Sequence, residues 1–126
     1  MAITPQHEKA SRRGDYIVLI PEKMINAAAA LGTRSELAQW IGVSRSQTSR
    51  WAKGETTPSP EAERAITDLD FIVARARMVW ADEVVPDWLH GHNAFLGGAT
   101  PLELIRRGRT AEVLQAISAE GAGVYA

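Results

Sequence analysis

The sequence predicts an all-α fold in which an N-terminal helix-turn-helix bundle is joined by a long helix to a small helical C-terminal domain. Side chains that cap helix N-termini recur along the 126 residues, and apolar residues at helical spacing follow them. Glycines stand where these helices would end, in the position that favours a left-handed backbone. No segment has the secure alternation of apolar and polar residues that is typical of a half-buried strand.

Composition and charge limit the possible functions. The chain has no apolar run near the roughly 20 residues needed to span a bilayer. It has no cysteine, which excludes disulfides and thiolate metal sites, so we expect a cytoplasmic protein with no membrane partner. Residues 1–60 hold 8 Lys/Arg against 5 Asp/Glu, a net +3, whereas residues 61–126 hold 6 against 10, a net −4. This split predicts two surfaces with different partners.

The N-terminal end divides into a tail and a first helix. Residues 1–15 are polar and lack periodicity, which predicts a flexible tail. Residues 16–58 are assigned to the helix-turn-helix domain. Pro21 suits the first turn of its first helix, and Gly32 is placed to end that helix.

Two further helices of this domain are predicted to meet at a tight turn. Thr33 with Glu36, and Ser44 with Gln47, have the three-residue spacing of a capping box, which marks the start of a helix. Gly42 lies between them, at a point where a side chain would strain the backbone. Two short helices around one turn glycine predict a helix-turn-helix.

The second of these helices carries an outward face of polar side chains. Thr48 and Trp51 are expected to point inward, which leaves outside two arginines and no acid. In the major groove of DNA, Arg suits guanine, Gln suits adenine, and Ser reaches bases or phosphates. The alternative is a helical hairpin with a solvated face, but such faces usually mix Glu with Lys. The predicted DNA-binding residues are Ser44, Arg45, Ser46, Gln47, Ser49, Arg50 and Lys53.

The longest predicted helix connects the two parts of the chain over residues 59–85. Ser59 is its expected N-cap and Pro60 its first residue. Its apolar residues recur at three- and four-residue spacing and form a single stripe. Such a stripe predicts a helix with one buried face.

Residues 86–126 are predicted to form a small C-terminal domain. Thr100 and Glu103 form a third capping box, and a last helix follows that stops before Gly121. Residues 121–126 then form a tail of small residues. Two short helices cannot bury a deep core alone, so they must pack on the long helix, on a partner, or on both.

The other polar clusters of the sequence do not predict a metal or catalytic site. Arg106, Arg107 and Arg109 surround a glycine cap, where they either offset a helix dipole or contact an acidic partner. His90 and His92 lack a third close ligand, so no metal site is predicted. No nucleophile is paired with a base, so neither a catalytic residue nor a cofactor is expected.

The sequence resembles two known families in succession. Over about residues 21–60 it resembles the Xre family of phage-repressor-like regulators, through Leu37-Ala38, the turn glycine Gly42 and the WAKG ending at residues 51–54. Thr48 departs from that family, which more often has Ile or Val there. The LGGATPLELI run at residues 96–105, with Gly-Arg and Val-Leu downstream, is similar to the C-terminal domain of ParS/MbcA-type antitoxins.

The resemblance implies an antitoxin that neutralises a RES-domain toxin, a class that destroys NAD, and that represses its own operon. Its C-terminal region is implied to cover the toxin active site. The tail has little bulk before its last residues and could thread a narrow cleft, although a frayed terminus is the plain alternative. The candidate toxin-binding residues are Arg109, Gly121, Gly123, Val124 and Tyr125.

Two other functions remain open from the sequence. The chain could be a stand-alone Xre-type repressor whose C-terminal half only dimerises it, or a structural adaptor with a vestigial DNA-binding fold. One recognition helix covers only half of an operator, so we expect a homodimer on an inverted repeat in its own promoter. The first helix and the long helix offer the apolar surface for such pairing.

Overall fold

The computed structural model describes residues 20–123, and these form helices and turns with no strand. The first helix, α1, covers residues 20–31 of this range. The elements that follow are α2 Arg34–Ile41, α3 Arg45–Ala52, α4 Pro60–Ala76, α5 Val84–His90, a single 3-10 turn Ala94–Leu96, α6 Pro101–Arg106 and α7 Thr110–Gly123. The tail predicted over residues 1–15, and the candidate residues Val124 and Tyr125, lie outside the described range.

The predicted capping residues begin four of these helices. The hydroxyl oxygen of each accepts a hydrogen bond from the backbone N–H three residues on, at 3.1 to 3.2 Å. The four capping residues are Thr33, Ser44, Ser59 and Thr100. Only at Thr100 is the box complete, because the Glu103 carboxylate also accepts from the Thr100 backbone N–H. The other two predicted boxes act as simple N-caps within the described chain.

Helix α4 lies at the centre of the fold, and its apolar stripe is buried. One side of α4 carries α1, where Lys23 Nζ donates to the Thr67 hydroxyl at 3.3 Å and Asn26 donates to Asp70 at 3.1 Å. The other side carries α6 and α7. One hydrophobic cluster runs continuously from α1 to α7. The buried residues of α4 are Ala62, Ala65, Ile66, Leu69, Ile72, Val73 and Ala76.

The connecting helix is shorter than the predicted range of residues 59–85, since α4 ends at Ala76. The backbone N–H groups of Met78 and Val79 bond to carbonyls three residues back, which tightens the chain into turns. The chain then reverses into α5, and Trp80 packs against Trp88 with ring centroids 5.0 Å apart. The apolar pattern in the sequence therefore extends past the end of α4, because Trp80 packs against Trp88 of α5.

The last helix is longer than predicted, because α7 runs through Gly121 to Gly123. Glycine is a poor helix former, which is why the sequence predicted an end before Gly121. A Cβ on Gly121 would lie 3.5 Å from both methyl groups of Val79. Packing against Val79 gives this turn a tertiary contact that intrinsic propensity does not include. The first residues of the predicted tail are thus helical.

Candidate nucleic-acid interface and partner-binding end

The turn between α2 and α3 has the backbone that its glycine predicts. Gly42 has φ of 92°, in the left-handed region, and caps α2. The backbone N–H groups of Gly42 and Val43 both donate to the Ala38 carbonyl, at 2.8 and 3.0 Å. Leu37 and Ile41 are buried beneath the turn. These bonds fix the direction in which α3 leaves the turn.

Two side chains anchor α3 to the protein, as predicted. Thr48 has no exposed surface, and Trp51 is 3% exposed. The Thr48 hydroxyl donates to the Arg45 carbonyl at 2.7 Å, so its polar atom is satisfied in the interior. This bond explains how Thr occupies a position where Ile or Val is usual.

The opposite face of α3 is exposed and polar. Within the described chain, the long side chains of this face make no hydrogen bond or ion pair with other residues. Ser49 differs from the prediction, because it is half-buried between the inward and outward faces. The hydroxyl of Ser44 already has hydrogen-bond partners within the protein, since it caps the helix and contacts the Ser46 hydroxyl at 3.2 Å. The exposed residues of this face, called here the recognition face, are Arg45, Ser46, Gln47, Arg50 and Lys53.

Hydrogen bonds hold α2 and α4 against α6. Trp40 Nε1 donates to the Leu102 carbonyl at 3.1 Å, and Arg106 donates to the Ile41 carbonyl at 3.2 Å. Arg64 donates to the carbonyls of Ile105 and Arg106 at 3.0 and 2.8 Å. Trp40 therefore lies at the junction between α2 and α6.

The candidate Arg109 lies before α7 and is already paired. Its guanidinium makes two hydrogen bonds of 2.7 Å to the Glu112 carboxylate. These bonds lower the pKa of Glu112 and raise that of Arg109. The pair remains on the surface, so a partner protein would meet a fork of opposite charges and not a free cation.

The C-terminal turn of α7 is fixed by a polar network that the sequence did not reveal. The Glu120 carboxylate accepts from Trp88 Nε1 at 2.8 Å and from Asn93 Nδ2 at 3.2 Å. Asn93 is only 8% exposed, and its other side-chain atom accepts from the Phe95 backbone N–H at 2.9 Å. The bonds span 27 and 32 residues, so no local spacing could have indicated them.

An open groove of about 450 Å³ lies beside this network. Val84 and Phe95 line it and are 43% and 56% exposed, although both are large and apolar. Val79, which touches Gly121, is 38% exposed. Exposed apolar side chains grouped in one patch with polar residues around them are typical of protein-binding surfaces. We call Val79, Val84 and Phe95, together with the last turn of α7, the candidate partner-binding end.

His90, the last residue of α5, and His92, in the loop that follows, both bond to backbone carbonyls. Nδ1 of His90 lies 2.7 Å from the Pro86 carbonyl oxygen, and Nδ1 of His92 lies 2.8 Å from that of Gly98. A carbonyl only accepts, so each Nδ1 carries the proton. Among residues 20–123 no three potential ligands gather in a metal-binding group, and no helix is long and apolar enough to cross a membrane.

Comparison with known proteins identifies the fold. No model of a known protein family matches the chain, and no curated protein sequence matches it. Its structure is similar to a chain in the crystal structure of the MbcT–MbcA toxin–antitoxin complex of M. tuberculosis, with a TM-score of 0.69 and 23% identity. The similarity covers 84% of this chain and 96% of that chain. The predicted all-α fold class is therefore confirmed, and the fold is shared with a chain of that complex.

Proposed function

We propose that this protein is an antitoxin that binds a cognate RES-domain, NAD-degrading toxin and represses its own operon. The observation that carries the proposal is agreement of fold over 96% of a chain from a toxin–antitoxin complex. The resemblance of the LGGATPLELI run to ParS/MbcA-type antitoxins supports it independently of the structure. The protein would act by binding and not by catalysis.

The recognition face supports the repressor role. The side chains of Arg45, Gln47 and Arg50 are exposed and have no hydrogen-bond partner within the described chain. Their donors are therefore available to the base edges of the major groove. Helix α3 would enter the groove, with Ser44 and Lys53 near phosphates at its two ends. Because Ser49 is half-buried, we give it the smallest part in this contact.

A homodimer would place two recognition faces on one operator. The two half-sites of such a repeat lie about 34 Å apart, one turn of DNA. Exposed apolar side chains on α1 and α4 support pairing there, since Ile25 is 64% exposed and Phe71 is 46% exposed. The expected operator is an inverted repeat in the promoter of the protein's own operon.

The candidate partner-binding end supports the toxin role. Gly121 and Gly123 continue α7, and Val124 and Tyr125 follow from it. We propose that these last residues cover the toxin active site while the exposed apolar side chains around α7 contact its rim. Tyr125 is the preferred anchor, because it adds a large apolar face and a hydroxyl. Arg109 would contribute from the opposite end of α7, and its contact must compete with Glu112.

The test is co-expression with the product of the neighbouring gene. We expect co-purification, growth rescue and preserved cellular NAD for the full chain, and loss of rescue after truncation before residue 121. The matched control is Arg45→Ala, which alters the recognition face and should rescue growth fully. A chain that binds its promoter but neither binds nor neutralises the neighbouring product would be a stand-alone repressor, contrary to the proposal.

A further inference from the structure

The arginines of the acidic half of the chain are unevenly placed. Residues 61–126 hold six arginines and a net charge of −4. Three of the six, Arg64, Arg106 and Arg107, line one cleft of about 560 Å³. Positive charge is therefore not confined to the N-terminal half of the folded protein, because these basic side chains of the C-terminal half lie against the N-terminal domain.

Another part of the cleft lining is the turn between α2 and α3. Ile41, Gly42 and Val43 line it, and Ser44, the N-cap of the recognition helix α3, is the next residue. Arg106 bonds to the Ile41 carbonyl, so the arginine wall is fixed relative to this turn. The cleft therefore adjoins the end of α3 that carries Arg45.

The charges in the cleft are only partly compensated. Arg64 is paired with Asp68 at 2.8 Å and also bonds to two carbonyls. Arg106 spends one donor on Ile41, and within the described chain neither Arg106 nor Arg107 lies within ion-pair distance of a carboxylate. Glu61 also lines the cleft, and its carboxylate would repel an anion bound there. The positive end of the α4 dipole, at Ser59, lies in the same cleft and partly offsets Glu61.

We propose that this cleft binds a phosphate group of the DNA backbone next to the bases that α3 reads. The inference rests on the proposed DNA binding and deepens it: the C-terminal domain would be part of the DNA interface. Arg107 and the remaining donors of Arg106 would contact the phosphodiester oxygens, since guanidinium groups match phosphate in shape and charge. Such contacts strengthen binding without reading sequence.

The test compares Arg107→Gln with a matched control, Arg75→Gln. Arg107 is chosen because it is exposed and makes no bond to the turn, whereas Arg106 does. Arg75 is an exposed arginine of α4 that does not line the cleft. Binding of each full-length variant to promoter DNA is measured by fluorescence anisotropy over a series of salt concentrations. One lost phosphate contact should reduce the slope of log K against log[salt] by about 1.

We expect the smaller slope for Arg107→Gln and the wild-type slope for Arg75→Gln. The weakening should be the same on operator and on unrelated DNA, because a phosphate contact carries no sequence information. Equal slopes for wild type and Arg107→Gln would overturn the inference while leaving the repressor function standing. Wild type that binds no promoter DNA would overturn both.

A second arm separates backbone phosphate from free phosphate. Inorganic phosphate is titrated into wild type and Arg107→Gln by calorimetry. Binding that Arg107→Gln abolishes, together with an unchanged DNA salt slope, would assign the cleft to a free anion and overturn the inference. A reduced slope with no measurable heat from inorganic phosphate supports the backbone contact.

Discussion

Helices α3 and α7 use their polar side chains in opposite ways. On α3 the long polar side chains face solvent without partners in the described chain, and the two inward positions hold the helix in place. On α7 two polar side chains are engaged inside the fold: Thr110 donates to Asp68 at 2.9 Å, and Glu120 accepts from two donors. Near the end of α7 three large apolar side chains, Val79, Val84 and Phe95, are instead exposed.

The difference indicates what kind of ligand each helix suits. Unpaired cationic and amide groups gain strong hydrogen bonds from a polar ligand such as DNA. A surface whose polar groups are already satisfied gains by burying apolar area, as protein interfaces do. The proposed DNA contact of α3 and the proposed protein contact near the end of α7 both fit this difference.

The largest expected effect is on the anchor of α3. Trp51→Ala removes a side chain that is 3% exposed, and such substitutions cost about 3–5 kcal/mol of stability. Arg50→Ala, on the opposite face of the same helix, should change stability by less than about 0.5 kcal/mol. Urea denaturation followed by tryptophan fluorescence and circular dichroism measures both. Similar losses for the two variants would contradict the two-faced description of α3.

The recognition face should show the reverse pattern in DNA binding. Arg45→Ala or Arg50→Ala should weaken binding to the native promoter by about 1–3 kcal/mol, since each would lose a contact to a base. Their unfolding curves should match wild type, because neither side chain has a partner in the described chain. Gel shifts with the promoter and with scrambled DNA check the affinity and its specificity. Unchanged binding in both variants would remove α3 from the readout.

The helix boundaries and the two faces of α3 could largely be predicted from the sequence, because they depend on residues close together in the chain. A capping residue, a turn glycine and the spacing of Thr48 and Trp51 act within one or two helical turns, so short patterns specify them. The end of α4 and the extension of α7 could not be predicted, because they depend on Trp80 meeting Trp88 and on Gly121 meeting Val79. Tertiary contacts of this kind override helix propensity.

The candidate partner-binding end could not be predicted from the sequence for the same reason. From the sequence, small residues at this end are predicted to bind a partner. The network that holds them in place depends on Glu120, whose donors Trp88 and Asn93 are distant in the chain. The sequence also placed the three arginines beside Gly108 in one group. The structure separates them, with Arg106 at the turn between α2 and α3 and Arg109 paired to Glu112.

The network at Glu120 gives a smaller expected effect. Glu120→Ala leaves the Trp88 N–H and the Asn93 amide without their acceptor, which should cost about 1–3 kcal/mol. Glu120→Gln keeps one acceptor oxygen for Trp88 and should recover part of that loss. Amide hydrogen exchange should show faster exchange confined to the last turns of α7. Affinity for promoter DNA should not change, because no residue of this network belongs to the recognition face or lines the arginine cleft.

The smallest expected effect is a pH dependence at the start of α7. Hydrogen bonds from Arg109 lower the pKa of Glu112 below its ordinary value of 4.5. A carboxyl with a lowered pKa in the folded protein contributes stability above its unfolded pKa, and this contribution is lost as pH falls through the lowered value. Glu112→Gln should therefore be less stable than wild type at neutral pH and should lose less stability on acidification. The difference should be small and should shrink at high salt, since the pair is exposed. Denaturant unfolding at a series of pH values from neutrality to below 4 measures it, and parallel curves for the two proteins would show that the pair contributes nothing.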